Sequence, residues 1–146
     1  MVSITFCLDD DAAEFVTDRL TEFNQAQCEL IAELASRTND PYPIHVMARS
    51  EDGSIVGGLV GQIWDSWHWL QIDVIWVTES HRNADLGTRL MRAAEDEGRR
   101  LGCVHARLTT SSYQALGFYQ KLGYISWGTL EGFPAGTTNY YMRKQL

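Results

Sequence analysis

The run Val74-Ile75-Trp76-Val77 is β-branched and aromatic, and it breaks into a polar stretch carrying Arg82 before Leu86, Gly87, Thr88 and Leu90 begin a helical pattern. A strand, a short loop and a helix start in that order aim several backbone N–H groups, and the positive end of a helix dipole, into one small volume. Such a volume suits a phosphate or pyrophosphate. Asp73 stands at the head of the same run, between Ile72 and Val74. A carboxylate in so apolar a strand could take a proton near neutrality, directly or through water, which makes Asp73 the candidate general base. Period-two alternation puts residues 71, 73, 75 and 77 on one face unless a bulge intervenes. Gln71 and Glu79 are secondary choices for positioning a nucleophile or water. The plainer alternatives are an Asp73 bonded to a loop or an indole, and an ordinary strand–helix connection.

These groups need elements around them. Residues 3–8 alternate and are β-branched, which predicts an opening strand. Asp11-Ala-Ala-Glu14 has capping-box spacing, and Phe15, Val16, Leu20 and Phe23 recur at helical intervals, predicting a helix over 12–25. Leu30, Ile31 and Leu34 continue the pattern as a second helix over 28–35, stopped by Asn39-Asp-Pro-Tyr-Pro43. A meander follows, with strands over 44–49, 54–64 and 68–77 and turns at 51–53 and 65–67. Gly57, Gly58 and Gly61 within one strand predict a bulge or a close backbone approach. A helix then runs from 82 or 85 to 101, capped by Gly102. A strand over 104–108, a short helix over 113–122 and strands over 124–130 and 139–143 close the chain. A meander followed by crossover helices implies an α/β (α+β) fold, a mixed and mostly antiparallel sheet of six to seven strands flanked by about four helices.

At 146 residues the chain is expected to form one domain, residues 1–146. Hydrophobic residues make up 45%, which argues against disorder, and no apolar run reaches membrane-spanning length. The N-terminus lacks a basic segment followed by a long apolar one, so a cytoplasmic address is expected. Cys7, Cys28 and Cys103 are odd in number and widely spaced, fitting neither a disulfide framework nor a zinc site. They read as thiols, with Cys7 and Cys103 in strands and buried. The histidines at 45, 68, 81 and 105 have no metal-ligand spacing either, and no metal is expected. A net charge of −7 argues against nucleic acid or an anionic membrane as partner and mildly favours a cationic substrate such as an amine.

The order of elements, with two motifs, resembles the GNAT superfamily of N-acetyltransferases, and the resemblance covers almost the whole chain. The superfamily's loop, Arg/Gln-x-x-Gly-x-Gly/Ala after its fourth strand, stands here as Arg82-Asn83-Ala84-Asp85-Leu86-Gly87. Its short tyrosine helix with a Leu-Gly-Tyr close stands here as Ala115-Leu-Gly-Phe-Tyr119-Gln-Lys-Leu-Gly-Tyr124. Gly57-Gly58-Leu59, Ile72-Asp73, Gln114-Ala115 and the loop over 131–136 are similar to a subgroup of small bacterial members that is not defined by any substrate. One position departs from the pattern, because Asp85 replaces the first glycine. Aspartate tolerates unusual backbone angles better than most residues, yet it sets negative charge beside an expected pyrophosphate.

The resemblance implies direct transfer of an acetyl group from acetyl-CoA to a primary amine in a ternary complex. Ile75, Trp76 and Val77 would pair with the pantetheine amides as an added strand, and a backbone N–H of Ile75 or Val77 would polarise the thioester oxygen. Arg82, Asn83, Ala84, Asp85, Leu86, Gly87 and Thr88 would cradle the pyrophosphate. Tyr119 would protonate the departing thiolate, and Ser112 would contact CoA where the superfamily often has asparagine. Arg89 or Arg92 could reach the 3′-phosphate, although helix arginines, Arg99 and Arg100 included, are most often solvated. Tyr113 and Tyr124 read as core. Trp64, Trp67, Trp69 and Trp76 read as core or dimer contact, with an aromatic wall for a cationic or flat acceptor as the functional alternative. A small-molecule amine acceptor and a homodimer complete the expectation. The alternative, carried by Asp85, is a degenerate GNAT protein that binds acyl-CoA as a sensor or interaction module.

Overall fold

The computed structural model describes residues 2–36, 41–82 and 84–146. The chain divides into two compact units, residues 1–38 and 39–146. In the first unit, α1 spans Asp10–Gln27 and α2 spans Glu29–Ala35. Helix α1 begins earlier than the capping-box spacing predicts. Asp9 is the N-cap, and its carboxylate accepts from the Ala12 N–H at 3.0 Å. Residues 3–8 are coil, not strand, and so Cys7 does not lie in a strand. The regular elements of this unit are two helices, and an alternating segment without a ladder partner cannot satisfy its backbone as a strand. Of the predicted stop of α2 over 39–43, residues 39 and 40 fall outside the described residues.

The second unit holds β1 (Tyr42–Arg49), β2 (Ile55–Trp64), β3 (Trp69–Val77), α3 (Leu86–Arg100), β4 (His105–Ser111), α4 (Leu116–Lys121), β5 (Ile125–Glu131) and β6 (Thr138–Gln145). These form a six-stranded sheet ordered β1-β2-β3-β4-β6-β5, antiparallel except where β3 runs parallel to β4. The crossover α3 makes that parallel pair possible. One face of α3 is apolar: Leu90, Met91 and Ala94 pack onto Leu59, Leu70, Ile72 and Leu108 of the sheet. The helix ends as expected, with Gly102 at φ 88° just past Leu101.

Three features were not predicted. Glu95 is buried in α3, accepts from the Tyr124 hydroxyl at 3.1 Å and pairs with the Lys144 ammonium at 2.7 Å. Burial and this carboxylate both push the Tyr124 phenol well above its ordinary value. Tyr124 is core, as expected, but Tyr113 is exposed, because the short helix starts at Leu116 and leaves 113 in the turn before it. Cys103 is buried but precedes β4 and does not lie in it.

The irregularity that matters for function lies between β2 and β3. Val60 pairs with Val74 while the next residue, Gly61, pairs with Ile72, so Asp73 is left over as a bulge. Gly61 is what lets the strands close there, since a Cβ on it would overlap the Gln71 carbonyl oxygen. The parallel ladder of β3 with β4 stops at the same level, at Ile72 and Leu108. Beyond it β3 runs on to Val77 and β4 to Ser111 without pairing to one another.

Candidate active site

The gap between the unpaired ends of β3 and β4 opens a cleft of about 740 Å³. Asp73, the end of β3, the loop around Arg82, the first turn of α3 and Tyr119 of α4 all line it. Residues from four separate elements, spread over 47 positions of sequence between Asp73 and Tyr119, therefore converge on one volume.

The bulge corrects the expected alternation. Leu70 and Ile72 face the core, Asp73 and Val74 are both exposed, and Ile75 and Val77 turn back toward the core. Gln71 and Ile75 are thus on opposite faces, and Asp73 is not set in apolar surroundings. Its carboxylate accepts from the Gln71 side-chain Nε2 at 2.6 Å, and the Gln71 side-chain Oε1 accepts from Arg107 at 2.6 Å. This chain orients one Asp73 oxygen and leaves the other to the cleft.

Tyr119 is 8% exposed, held edge-on by Phe118 at 5.2 Å and Tyr124 at 6.2 Å between ring centroids. Burial raises its phenol above the ordinary value, so it stays protonated through the neutral range. Among the described residues its hydroxyl has no protein hydrogen-bond partner, which leaves it free for a group in the cleft.

At the other end of the cleft, the Arg82 Nε donates to the Val77 carbonyl at 3.2 Å, folding the loop back on the strand end. Asp85 is the N-cap of α3 in the left-handed conformation, φ 61° and ψ 2°, and its carboxylate makes no capping bond. That is the backbone a motif glycine would supply, adopted here by a residue type that tolerates it. The first-turn N–H groups of Leu86, Gly87 and Thr88 have no partners within the helix and line the cleft. Gly87 also answers to packing, because a Cβ there would sit 3.3 Å from the Phe118 ring. Asn83 lies outside the described residues, and Ala84 is exposed away from the cleft lining. Trp76 lines the cleft beside Ile75 and Val77.

Ser112 is not brought to this site. Its N–H donates to the Thr138 carbonyl at 2.8 Å and its hydroxyl accepts from the Thr138 N–H at 3.2 Å, tying the end of β4 to β6. Thr109, Gln114 and Ala115 line the cleft from that side instead, and His81 does so from the loop. The Gln114 side-chain Oε1 accepts from the Ser111 N–H at 2.9 Å, which fixes the turn that presents α4. Arg99 and Arg100 are engaged along α3 by Asp96 at 2.7 Å and Glu97 at 2.6 Å.

Asp73 and Thr109 also line a second cavity of about 450 Å³ that includes Gln71, Arg107 and Trp127. Arg107 and Trp127 are shared in turn with a third cavity of similar size, walled by Trp64, Trp67 and Trp69. The bulged carboxylate is therefore shared by the cleft and the second cavity, and the second cavity leads through Arg107 and Trp127 to the aromatic third one.

Comparison with known proteins agrees with this fold. A family model described as the acetyltransferase (GNAT) family matches residues 6–124. Blasticidin-S acetyltransferase from Streptomyces morookaense is 38% identical over 108 residues, which is 71% of this chain and 78% of that protein. The crystal structure of an acetyltransferase from Bacillus cereus ATCC 14579 superposes with a TM-score of 0.81 at 25% identity, covering 99% of this chain and 98% of that one. A Bacillus anthracis structure in complex with acetyl coenzyme A has the same fold, with a TM-score of 0.64 at 23% identity over 74% of this chain and 65% of that one.

Proposed function

The chain belongs to the GNAT acetyltransferase family, and from that premise we propose that it transfers the acetyl group of acetyl-CoA directly to a primary amine of a small molecule. The observation that carries this reading is the shared cleft: Asp73, Tyr119 and the open first turn of α3 line one volume. The pyrophosphate lies at the α3 N-terminus, against the N–H groups of residues 86–88 and the Arg82 guanidinium. The pantetheine arm follows the unpaired edge of β3, and a backbone N–H of Ile75 or Val77 donates to the thioester oxygen. The amine enters from the aromatic side, and Asp73 takes its proton directly or through water as nitrogen attacks the carbonyl carbon. The tetrahedral intermediate then collapses, the carbon–sulfur bond breaks, and the Tyr119 hydroxyl gives its proton to the sulfur. Thiol and amide leave. Blasticidin-S acetyltransferase, a relative by sequence, supports a small molecule as acceptor.

The family match crosses from the first compact unit into the second, which supports reading residues 1–146 as one domain. The exposed Ile125 and Leu130 on the edge strand β5 support a homodimer through the C-terminal strands.

Calorimetric titration with acetyl-CoA followed by a thiol-release assay over a panel of amines tests the reading. Saturable binding and amine-dependent release are expected, with Asp73→Asn lowering kcat about 100-fold. Absence of binding at millimolar acetyl-CoA would remove the donor assignment, and an unchanged kcat in Asp73→Asn would remove the base. Asp85→Gly makes a separate prediction. Taking away a unit charge near the pyrophosphate is expected to tighten acetyl-CoA about fivefold, roughly the repulsion of two charges 4 Å apart in water. An unchanged affinity would mean that the carboxylate points away from the cofactor.

A further inference from the structure

The acetyl-acceptor side of the sheet carries a charge arrangement that an amine alone does not explain. Arg107 of β4 and Arg143 of β6 are directly opposite one another across the antiparallel ladder, with Gln71 beside Arg107 on β3. Like charges in that relation repel. Among the described residues neither guanidinium has a carboxylate in ion-pair range, although acidic side chains outnumber basic ones by 19 to 12 in the chain. Arg107 spends one N–H on Gln71, and the rest of both forks is exposed to the third cavity, of about 450 Å³.

The other walls of that cavity are indoles. Trp64 and Trp67 lie 5.6 Å apart, Trp69 stacks on His105 at 4.7 Å, and Trp127 rests on Tyr141 at 5.6 Å between ring centroids. The Trp64 Nε1 is buried without a hydrogen-bond partner. Trp67 and Trp127 are 54% and 63% exposed, unusual for indoles flanking a cavity unless a flat group covers them. Two forks with no protein anion, on a floor of aromatic faces, match a planar molecule that carries a carboxylate.

We propose that the amine acceptor is an anionic, ring-containing compound: its carboxylate bridges Arg107 and Arg143, its ring lies on the tryptophan floor, and its amine reaches Asp73. The place of the amine rests on the acetyl-transfer reading; the anion site does not. Gln71 separates the two ends, since it faces Arg107 in the parallel ladder and donates to Asp73. Two residues along β3, from Gln71 to Asp73, span roughly 7 Å, which with Arg107 one strand over is the least spacing between carboxylate and amine. The overall negative charge of the protein thus favours cations in bulk, while the acceptor compartment selects for one negative group.

Para-(aminomethyl)benzoate and its neutral counterpart para-(aminomethyl)benzamide have the ring, the amine and about this spacing, and differ in charge at one end. Titrated against the intrinsic tryptophan fluorescence, the acid is expected to bind about tenfold tighter than the amide, and raised salt should weaken only the acid. Arg143→Gln is expected to erase the tenfold preference by weakening the acid alone, and Arg143→Lys to erase part of it, since lysine keeps the charge and loses the fork. Equal affinities of acid and amide for the wild type, or no response to either, would overturn the proposal without recourse to any variant. The thiol-release assay on the same pair separates the two readings. An acid that binds but is not acetylated upholds the anion site and removes the amine from Asp73. Acetylation of acid and amide with equal kcat/KM upholds acetyl transfer and removes the anion site.

Discussion

Tyr119→Phe is expected to lower kcat for acetyl transfer about 100-fold, the usual worth of a positioned proton donor, while acetyl-CoA affinity stays within about twofold. The asymmetry follows from where the hydroxyl is. It lies on the cleft wall without a hydrogen-bond partner among the described residues, so phenylalanine deletes none of the described hydrogen bonds and keeps the edge contacts with Phe118 and Tyr124. Thermal melting should therefore shift little, which separates loss of chemistry from loss of fold. The pH profile gives a second readout. A donor must be protonated, so activity falls as pH rises through its pKa. Burial raises that value from 10.0, and the wild-type kcat should keep its plateau until above about pH 10. A Tyr119→Phe enzyme with wild-type kcat would mean that solvent protonates the thiolate.

The ends of this cleft were legible in sequence because each is local. The strand–loop–helix junction shows as a change of period within fifteen residues, 74–88; that Asp85 is a left-handed N-cap, at φ 61°, was not read from it. The three glycines of β2 announced a bulge, but not its occupant. Which residue is extruded depends on the register of β3 against β2, and register is a property of two strands. The pairing of Arg107 with Arg143 was hidden for the same reason, since 36 positions separate them and no local pattern records it. Motif position also did not show that the Ser112 hydroxyl accepts from the Thr138 N–H and stands outside the cleft lining, since that contact joins residues 26 positions apart. Nothing local marks Glu95 of α3 as buried; Lys144 and Tyr124, 49 and 29 positions away, are what allow it. Residues 3–8 alternate as a strand should, and alternation without a ladder partner in the same unit leaves coil.

The largest structural effect is expected at Gly61, which touches neither substrate. The bulge exists because β2 and β3 come together there more closely than two side-chain-bearing strands can, and a Cβ on residue 61 would collide with the Gln71 carbonyl oxygen. Neither party can yield cheaply, since the obstacle is backbone within a paired ladder, with the Ile44 side chain 3.4 Å away on the next strand. Gly61→Ala is therefore expected to cost about 3 kcal/mol, at the upper end for overpacking, and to lower the denaturant midpoint accordingly. Activity should fall further than folding alone explains, because a strand that relieves the clash by shifting register would take Asp73 out of the bulge and unlink it from Gln71 and Arg107. Measured at a temperature where the variant is fully folded, kcat should drop while acetyl-CoA affinity, set at the far end of the cleft, is kept. Gly58→Ala is the control. Its Cβ would meet the Met47 sulfur at 2.7 Å, a flexible side chain that can swing aside, so stability and kcat should stay near wild type. If both variants behave alike, the close approach at Gly61 is not what holds the catalytic carboxylate in place.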